Sequence, residues 1–191
     1  MRWRATAAAY ALAAGLLPPG PPHALAQPAG PPGSPASVAS PEWSATDLRF
    51  AQEAARTGAY QVEAARIAEQ RALHPKVKAF AVALARDHAA ADEELKALAL
   101  SHGQDLPTDV SPMRRKQLDG LGELAGEAFD LRYVQQVAIA DQEAAVLLFE
   151  SASSAADPGL RAWAAKVLPM LRAHLAAARE LPLMAQPRPV A

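Results

Sequence analysis

The sequence contains no cysteine, which excludes disulfides, thiolate metal sites, cysteine nucleophiles and a lipidated N-terminal cysteine. Aromatic residues make up only 5% of a chain that is 51% apolar, so alanine supplies much of the difference and favours helix. The net charge is only -1, which gives no overall field to attract nucleic acid or anionic lipid. No stretch alternates between apolar and polar residues with a period of two, so we predict no sheet.

The first 26 residues have the pattern of an export signal. Two arginines precede an apolar run from Ala5 to Leu17, which is too short to span a bilayer. Ala24 and Ala26 then form a small-x-small cleavage pattern that leaves Gln27 as the new N-terminus. We therefore predict Sec export to the periplasm or beyond, with no transmembrane span after cleavage. An uncleaved membrane anchor is the alternative.

The remaining chain divides by composition into three parts. Residues 27–43 are rich in Pro, Gly and Ser and are predicted to be a flexible linker, because such a segment buries no core. Residues 44–182 carry the apolar periodicity of helices and form the predicted folded domain. Residues 183–191 are predicted to be a disordered tail.

The folded part is predicted to contain four long helices and one short helix. Cap residues, prolines and glycines place the long helices at about 46–72 (with Ser44 or Thr46 as cap), 75–103, 127–155 and 157–181, and the short one at 111–124. Each long helix has about 25 residues and spans about 37 Å. The first and last pairs are joined by short turns, whereas the middle connection can cross the whole bundle. We therefore predict an all-α, ferritin-like antiparallel four-helix bundle with a long crossover that contains the short helix.

Each long helix carries an apolar stripe that is interrupted by one polar residue. The four exceptions are Gln61, His88, Gln142 and His174. Most of them lie near mid-helix, and mid-helix positions of antiparallel helices meet at one level. We therefore predict that the four side chains form one buried polar layer.

Two interpretations of this layer remain open. Buried polar groups are normally hydrogen-bonded, so the layer can serve only to fix helix register. Alternatively, His88 and His174 bind a transition metal, since imidazoles on facing helices suit such ions. Asp87 and Asp141 flank the layer and are predicted either to be solvated or to support a histidine on a neighbouring helix as outer partners. His74 and His102 adjoin helix ends and are expected to be exposed.

Several segments together resemble the exported bacterial DUF4142 family, a ferritin-like group of unknown function. The resemblance covers nearly all of residues 45–181, and its matching elements are Phe50 to Ala55, Gly58 with Val62, Pro75 to Phe80, Asp87-His88, Glu94 to Lys96, Phe129 with Tyr133, Ala145 to Phe149, and Leu168 to Leu175. It implies an exported, all-helical bundle. Gln61 and Gln142 depart from this family, which typically has Glu and His there. If relatives bind metal through the layer, this chain has therefore lost an anionic ligand and an imidazole.

The sequence shows no catalytic constellation. The di-iron pattern Glu-x-x-His is missing, because Ala85 and Leu171 stand three residues before the two layer histidines. We therefore expect no enzyme and no cofactor, with a transition metal as the alternative. The hypothesis is an exported envelope protein that acts by binding or as a structural stress factor, with an envelope partner or a second copy of the chain as its partner. The runner-up is a metal-binding or redox protein that uses His88 and His174.

Overall fold

The computed structural model describes residues Glu42 to Pro182, and every regular element in this part of the chain is helical. This confirms the all-α prediction. In chain order the elements are α1 (Ala45–Arg71), α2 (Pro75–Ser101), α3 (Pro112–Gly122), α4 (Gly126–Arg132), a π-helical segment (Tyr133–Asp141), α5 (Gln142–Ser151), a 3-10 turn (Ala152–Ser154) and α6 (Pro158–Arg179).

Short polar side chains fix the helix starts. Ser44 Oγ accepts a hydrogen bond from Asp47 N at 3.1 Å at the start of α1. Asp157 does the same for Leu160 N at 2.7 Å at the start of α6. Pro75 stands in the first turn of α2, where its missing N–H leaves no helical bond unmade. The predicted helix starts therefore follow from local capping chemistry.

The elements from α4 to the 3-10 turn form one rod, residues 126–154, because the backbone stays helical through each junction. The π-helical segment shifts the face that this rod buries. Phe129 and Asp130 are buried, whereas Leu131 is 39% exposed. The apolar stripe that runs through Leu131, Val134 and Ala138 predicts a buried Leu131, and this is wrong because a stripe of fixed α-helical period does not anticipate a wider turn.

The long helices pack around a shared interior. α1 and α2 are joined by a three-residue connection and contact each other along their length, so they form an antiparallel hairpin. α5 packs on α6, α6 packs on α2, and the third rod contacts α1 through α5 and the π-helical segment. α3 lies in the connection between α2 and α4 and packs on α1.

The predictions for the chain ends lie largely outside the described residues. The signal peptide at 1–26, most of the linker at 27–43 and the tail at 183–191 all fall there. Trp43, at the end of the predicted linker, is buried and stacks on His102 with 5.2 Å between ring centroids. The His102 side chain is only 7% exposed, so the prediction that it is exposed is wrong. Between residues 42 and 182, none of the helices combines the length and the apolar character needed to cross a membrane.

Candidate functional site

The four polar residues of the sequence stripes lie where two apolar clusters meet. All four are buried, with Gln61 and Gln142 fully inaccessible. On α2 the first cluster ends at Ala85 and the second resumes at Leu95, with His88 between them. On the third rod, Gln142 likewise separates Ala138 from Ala145.

The same change of cluster occurs on the other two helices. α1 leaves the second cluster after Ala55 and enters the first at Tyr60, beside Gln61. α6 passes from Leu175 to Ala178, next to His174. The four helices thus change cluster at or near these residues, and His88 contacts both Gln142 and His174. We call this set, Gln61, His88, Gln142 and His174, the polar layer.

His88 and Gln142 are in direct contact inside the layer. Gln142 Nε2 lies 3.3 Å from His88 Nε2. An amide nitrogen only donates, so His88 Nε2 accepts and its ring proton is on Nδ1. Burial lowers the pKa of His88 to about 3, and the neighbouring His174 adds to this effect. The imidazole is therefore neutral at pH 7 and has a lone pair directed into the layer.

His174 lies between His88 and the protein surface. Its ring centroid is 6.0 Å from that of His88, and Phe80 contacts it edge-on. His174 Nε2 lies 3.1 Å from Asp87 Oδ2. Burial lowers the pKa of His174, and Asp87 opposes that shift. Arg86 holds the other oxygen of Asp87 at 2.8 Å.

Several polar atoms of the layer have no hydrogen-bond partner among the described residues. Both Gln61 Nε2 and Gln61 Oε1 are in this state, and so is Gln142 Oε1. Turning the Gln142 amide over would pair its oxygen with His88 but would leave its nitrogen unpaired. Each such buried group costs about 1–3 kcal/mol. The layer can therefore pair with a further polar molecule or ion, which we call the guest.

The space beside the layer is very small. A cavity of about 10 Å³ is lined by residues from α1, α2, α5 and α6, and His88 is one of them. That volume is about what one water molecule needs. This cavity therefore has room for a single water or an ion but not for an organic molecule.

Asp141 fits neither alternative predicted for it, since it is largely buried and binds an arginine and a tyrosine rather than a histidine. Its carboxylate accepts a hydrogen bond from Arg114 of α3 at 2.6 Å and one from Tyr60 of α1 at 3.2 Å. The Arg114 guanidinium also lies over the Tyr60 ring, 4.3 Å from its centroid. Burial, followed by the charge of Asp141, raises the pKa of Tyr60 above its usual value. These three residues therefore connect α3 to the two rods that carry Tyr60 and Asp141.

The sequence stripes did not reveal three buried or partly buried carboxylates. Asp47 accepts hydrogen bonds from Ala156 N at 2.9 Å and Asp157 N at 3.2 Å, which holds the connection before α6. Asp130 does the same for the backbone of Leu73 and His74 before α2.

The third is Asp92 on α2, whose carboxylate faces Gly58 of α1. Burial raises the pKa of Asp92 to about 7, with Lys96 opposing the shift and Glu93 adding to it. The sequence feature that could have indicated its burial is its position four residues after His88, because that spacing places both residues on one helix face.

The donor set fits a metal only in part. Within residues 42–182, no three side chains of His, Cys, Asp or Glu come together as a metal-binding group. The two imidazoles face each other, and the remaining donors of the layer are carboxamides, which are weaker ligands than carboxylates or imidazoles.

Two solved structures share this fold. A DUF305 fragment from Deinococcus radiodurans superposes with a TM-score of 0.66 at 16% identity, covering 74% of this chain and 97% of that one. CopM in its Cu(I)-bound form superposes with a TM-score of 0.60 at 20% identity, covering 70% and 93%. At these identities, the similarity extends to the fold alone. No curated protein matches the chain significantly.

The family assignment rests on a match over most of the sequence. The family described as a domain of unknown function, DUF4142, matches residues 32–181. This range includes all four residues of the polar layer and confirms the resemblance seen in the sequence segments. The chain belongs to the DUF4142 family.

Proposed function

We propose that this chain is an exported, non-catalytic protein of the cell envelope that acts by binding or as a structural factor, with the polar layer as its functional centre. Export is supported by the signal pattern of residues 1–26. A cavity of about 10 Å³ supports the non-catalytic assignment, because an organic substrate does not fit beside the layer.

The proposed architecture is a ferritin-like four-helix bundle with one long crossover. The α1–α2 hairpin, the packing of α5 on α6 and the contact between α2 and α6 support it. The connection from residue 102 to residue 125 contains α3 and joins the two pairs of helices. In this arrangement, one residue of the layer comes from each long rod.

The unpaired carboxamide atoms of Gln61 and Gln142 are the observation on which this function depends. Because burial of unpaired amides is unfavourable, a guest that pairs with them stabilises the folded state. The cavity beside His88, the partner of Gln142, has room for one water molecule or one ion. With water as the guest, the layer has a structural role and fixes the register of the helices.

A metal ion is the second candidate guest. His88 and His174 face each other with 6.0 Å between ring centroids, and burial keeps both rings neutral at pH 7. Asp87 contacts His174 from outside, as carboxylates do behind metal-binding histidines. CopM has been solved with Cu(I), but that copper belongs to CopM, and its 20% identity supports only the fold.

Thermal melting with added metals separates the two candidates. The chain is purified without an affinity tag, its metal content is measured, and melting is recorded with Zn²⁺, Cu²⁺ or Fe²⁺. A metal that binds only the folded state raises the melting temperature, by an amount that grows with its concentration. A rise that disappears in His88→Ala and His174→Ala but persists in His74→Ala supports the metal candidate. No rise with any metal supports the structural role.

Export is tested on the protein recovered from the cell envelope. Mass spectrometry of its N-terminus should give Gln27 as the first residue, or the cyclised form of that glutamine. Recovery of the full chain with its first 26 residues attached to the membrane would instead support the uncleaved anchor.

A further inference from the structure

Asp92 borders two separate spaces in the molecule. One is a groove of about 220 Å³ between α1 and α2, which is open to solvent and also lined by Arg66 and Lys96. The other is the interior cavity of about 10 Å³, which is lined by His88 of the polar layer. The Asp92 side chain therefore stands between solvent and the interior of the bundle.

Gly58 makes room for this carboxylate. A Cβ atom built at Gly58 would lie only 2.0 Å from Asp92 Oδ1 and 2.7 Å from Asp92 Oδ2. No larger residue fits there unless Asp92 moves. Gly58 also lines the interior cavity, so the glycine and the carboxylate together form the boundary between groove and cavity.

A second groove approaches the same cavity from the other side. It lies between α2 and α6, has a volume of about 200 Å³ and contains Asp87, Glu94 and Lys166. It shares only Ala91 and Val167 with the interior cavity. Both shared residues are apolar, and the polar contact between this groove and the layer is made instead by Asp87, which lies 3.1 Å from His174 Nε2.

We propose that Gly58 and Asp92 form the entrance to the polar layer, through which water and metal cations pass between the groove and the interior. This inference rests on the proposed function, since it takes the layer as the place where the guest binds. A carboxylate accepts hydrogen bonds and attracts cations but repels anions, so the entrance favours cations. The cavity beyond it is lined by His88, and Gln142, which contacts His88, has an unpaired amide oxygen that suits a guest that donates or is positively charged.

The rate of Cu²⁺ binding tests the entrance directly. Cu²⁺ is the probe because it binds nitrogen and oxygen sites more tightly than the other divalent metals of its row. Trp163 lines the interior cavity, so quenching of its fluorescence in a Trp3→Phe, Trp43→Phe background reports arrival of the metal. We expect Asp92→Asn, which keeps the shape but removes the charge, to bind about tenfold more slowly. The control Glu94→Gln removes a carboxylate from the other groove and should leave the rate unchanged.

A second readout needs no metal. The side-chain amide hydrogens of Gln61 and Gln142 exchange with water, and NMR measures the rate for each. Asp92→Leu fills the entrance with an apolar side chain and should slow this exchange about tenfold, whereas Glu94→Leu should not.

The outcomes distinguish the entrance from the function of the layer. Cu²⁺ binding and amide exchange that are both unaffected by the Asp92 variants would overturn the entrance, even if Cu²⁺ stabilises the protein. If Cu²⁺ does not bind the unmodified chain but Asp92→Leu slows amide exchange, the metal candidate fails and the entrance stands for water. Equal slowing by Glu94→Leu would place the route between α2 and α6 and overturn the proposal.

Discussion

His88 contributes to stability through its buried hydrogen bond to Gln142. Its Nε2 accepts from Gln142 Nε2 at 3.3 Å, and the residue is 4% exposed. His88→Ala leaves that amide without any partner, so we expect the free energy of unfolding at pH 7 to fall by about 1–3 kcal/mol. Urea denaturation measures the change. His74→Ala, which removes only the N-cap bond to Lys76 N at the start of α2, serves as the control histidine and should cost about 1 kcal/mol. A loss in His88→Ala no larger than that of the control would contradict a special role for the layer.

The charge state of His88 also makes its contribution to stability depend on pH. Burial lowers the folded pKa to about 3, whereas the unfolded chain takes up a proton near the ordinary value of 6.5. Between these values the unfolded state binds more protons, so the stabilisation is complete above pH 6.5 and is lost as pH falls toward 3. His88→Gln removes this contribution, so its stability should decline less steeply over that window than that of the unmodified chain.

Asp92 is expected to respond to pH in the opposite direction. Burial raises its folded pKa to about 7 from the ordinary value of 3.8, so the folded state holds a proton that the unfolded state has released. The contribution of Asp92 to the free energy of unfolding therefore falls as pH rises from 4 to 7 and stays low above pH 7. We expect Asp92→Asn to be more stable than the unmodified chain at pH 8, by on the order of 1–2 kcal/mol because the groove leaves the carboxylate partly solvated. Denaturation at pH 4.5 and pH 8 should show this gain at pH 8 only.

At the scale of elements, local sequence signals predicted the helix starts. The carboxylates that hold the connections between helices were not predicted, because they act through long-range contacts. Ser44, Pro75 and Asp157 act on residues within one turn, so their roles are visible in sequence. Asp47 and Asp130, in contrast, bind the backbone of connections that are distant in sequence, and no short pattern indicates such pairs.

The polar layer was predictable because it depends on period alone. One polar residue in each apolar stripe placed Gln61, His88, Gln142 and His174 inside, and the structure buries all four. The partners of these side chains were not predictable, because they depend on rotation and on a few tenths of an ångström between helices. Asp141 shows this, since it lies beside Gln142 in sequence yet binds Arg114 and Tyr60.

Arg114 contributes more than its neighbour Arg115 to the attachment of α3 to the long helices. Arg114 contacts Asp141 and the Tyr60 ring and is partly buried, whereas Arg115 forms a more exposed ion pair with Glu63. We expect Arg114→Ala to reduce stability by about 1–3 kcal/mol and to increase hydrogen exchange throughout α3. Arg115→Ala should reduce stability by less than about 1 kcal/mol, as is usual for exposed pairs. Equal effects in denaturation and exchange mass spectrometry would contradict this attachment.

At the scale of the whole molecule, the layer divides the interior into two apolar clusters. One contains Leu84, Phe129 and Tyr133, and the other contains Leu95, Phe149 and Trp163. Apolar packing within each cluster supplies most of the stabilisation, because burial of apolar surface is the dominant favourable term in folding. The layer contributes less energy but restricts how the helices align, since a slip by one turn would bury its polar groups against apolar side chains.

A variant with leucine at all four layer positions separates stability from specificity. Gln61→Leu, His88→Leu, Gln142→Leu and His174→Leu together remove every polar group at once, so no partner is left unpaired. Replacing both partners of a buried interaction with apolar groups of similar size is often neutral or stabilising. We therefore expect the fourfold variant to melt at the same temperature as the unmodified chain or higher, although His88→Ala alone is destabilising.

The same variant should lose uniqueness of structure if the layer fixes the helix register. Its NMR spectrum should then show broadened or doubled signals for residues on both sides of the layer, such as Leu84 and Leu95, because uniform apolar cores permit alternative alignments. Any rise in melting temperature on adding metal should also be abolished. Sharp single signals together with an unchanged melting temperature would show that the register is set elsewhere, and a large loss of stability would instead indicate that the layer holds a guest on which folding depends.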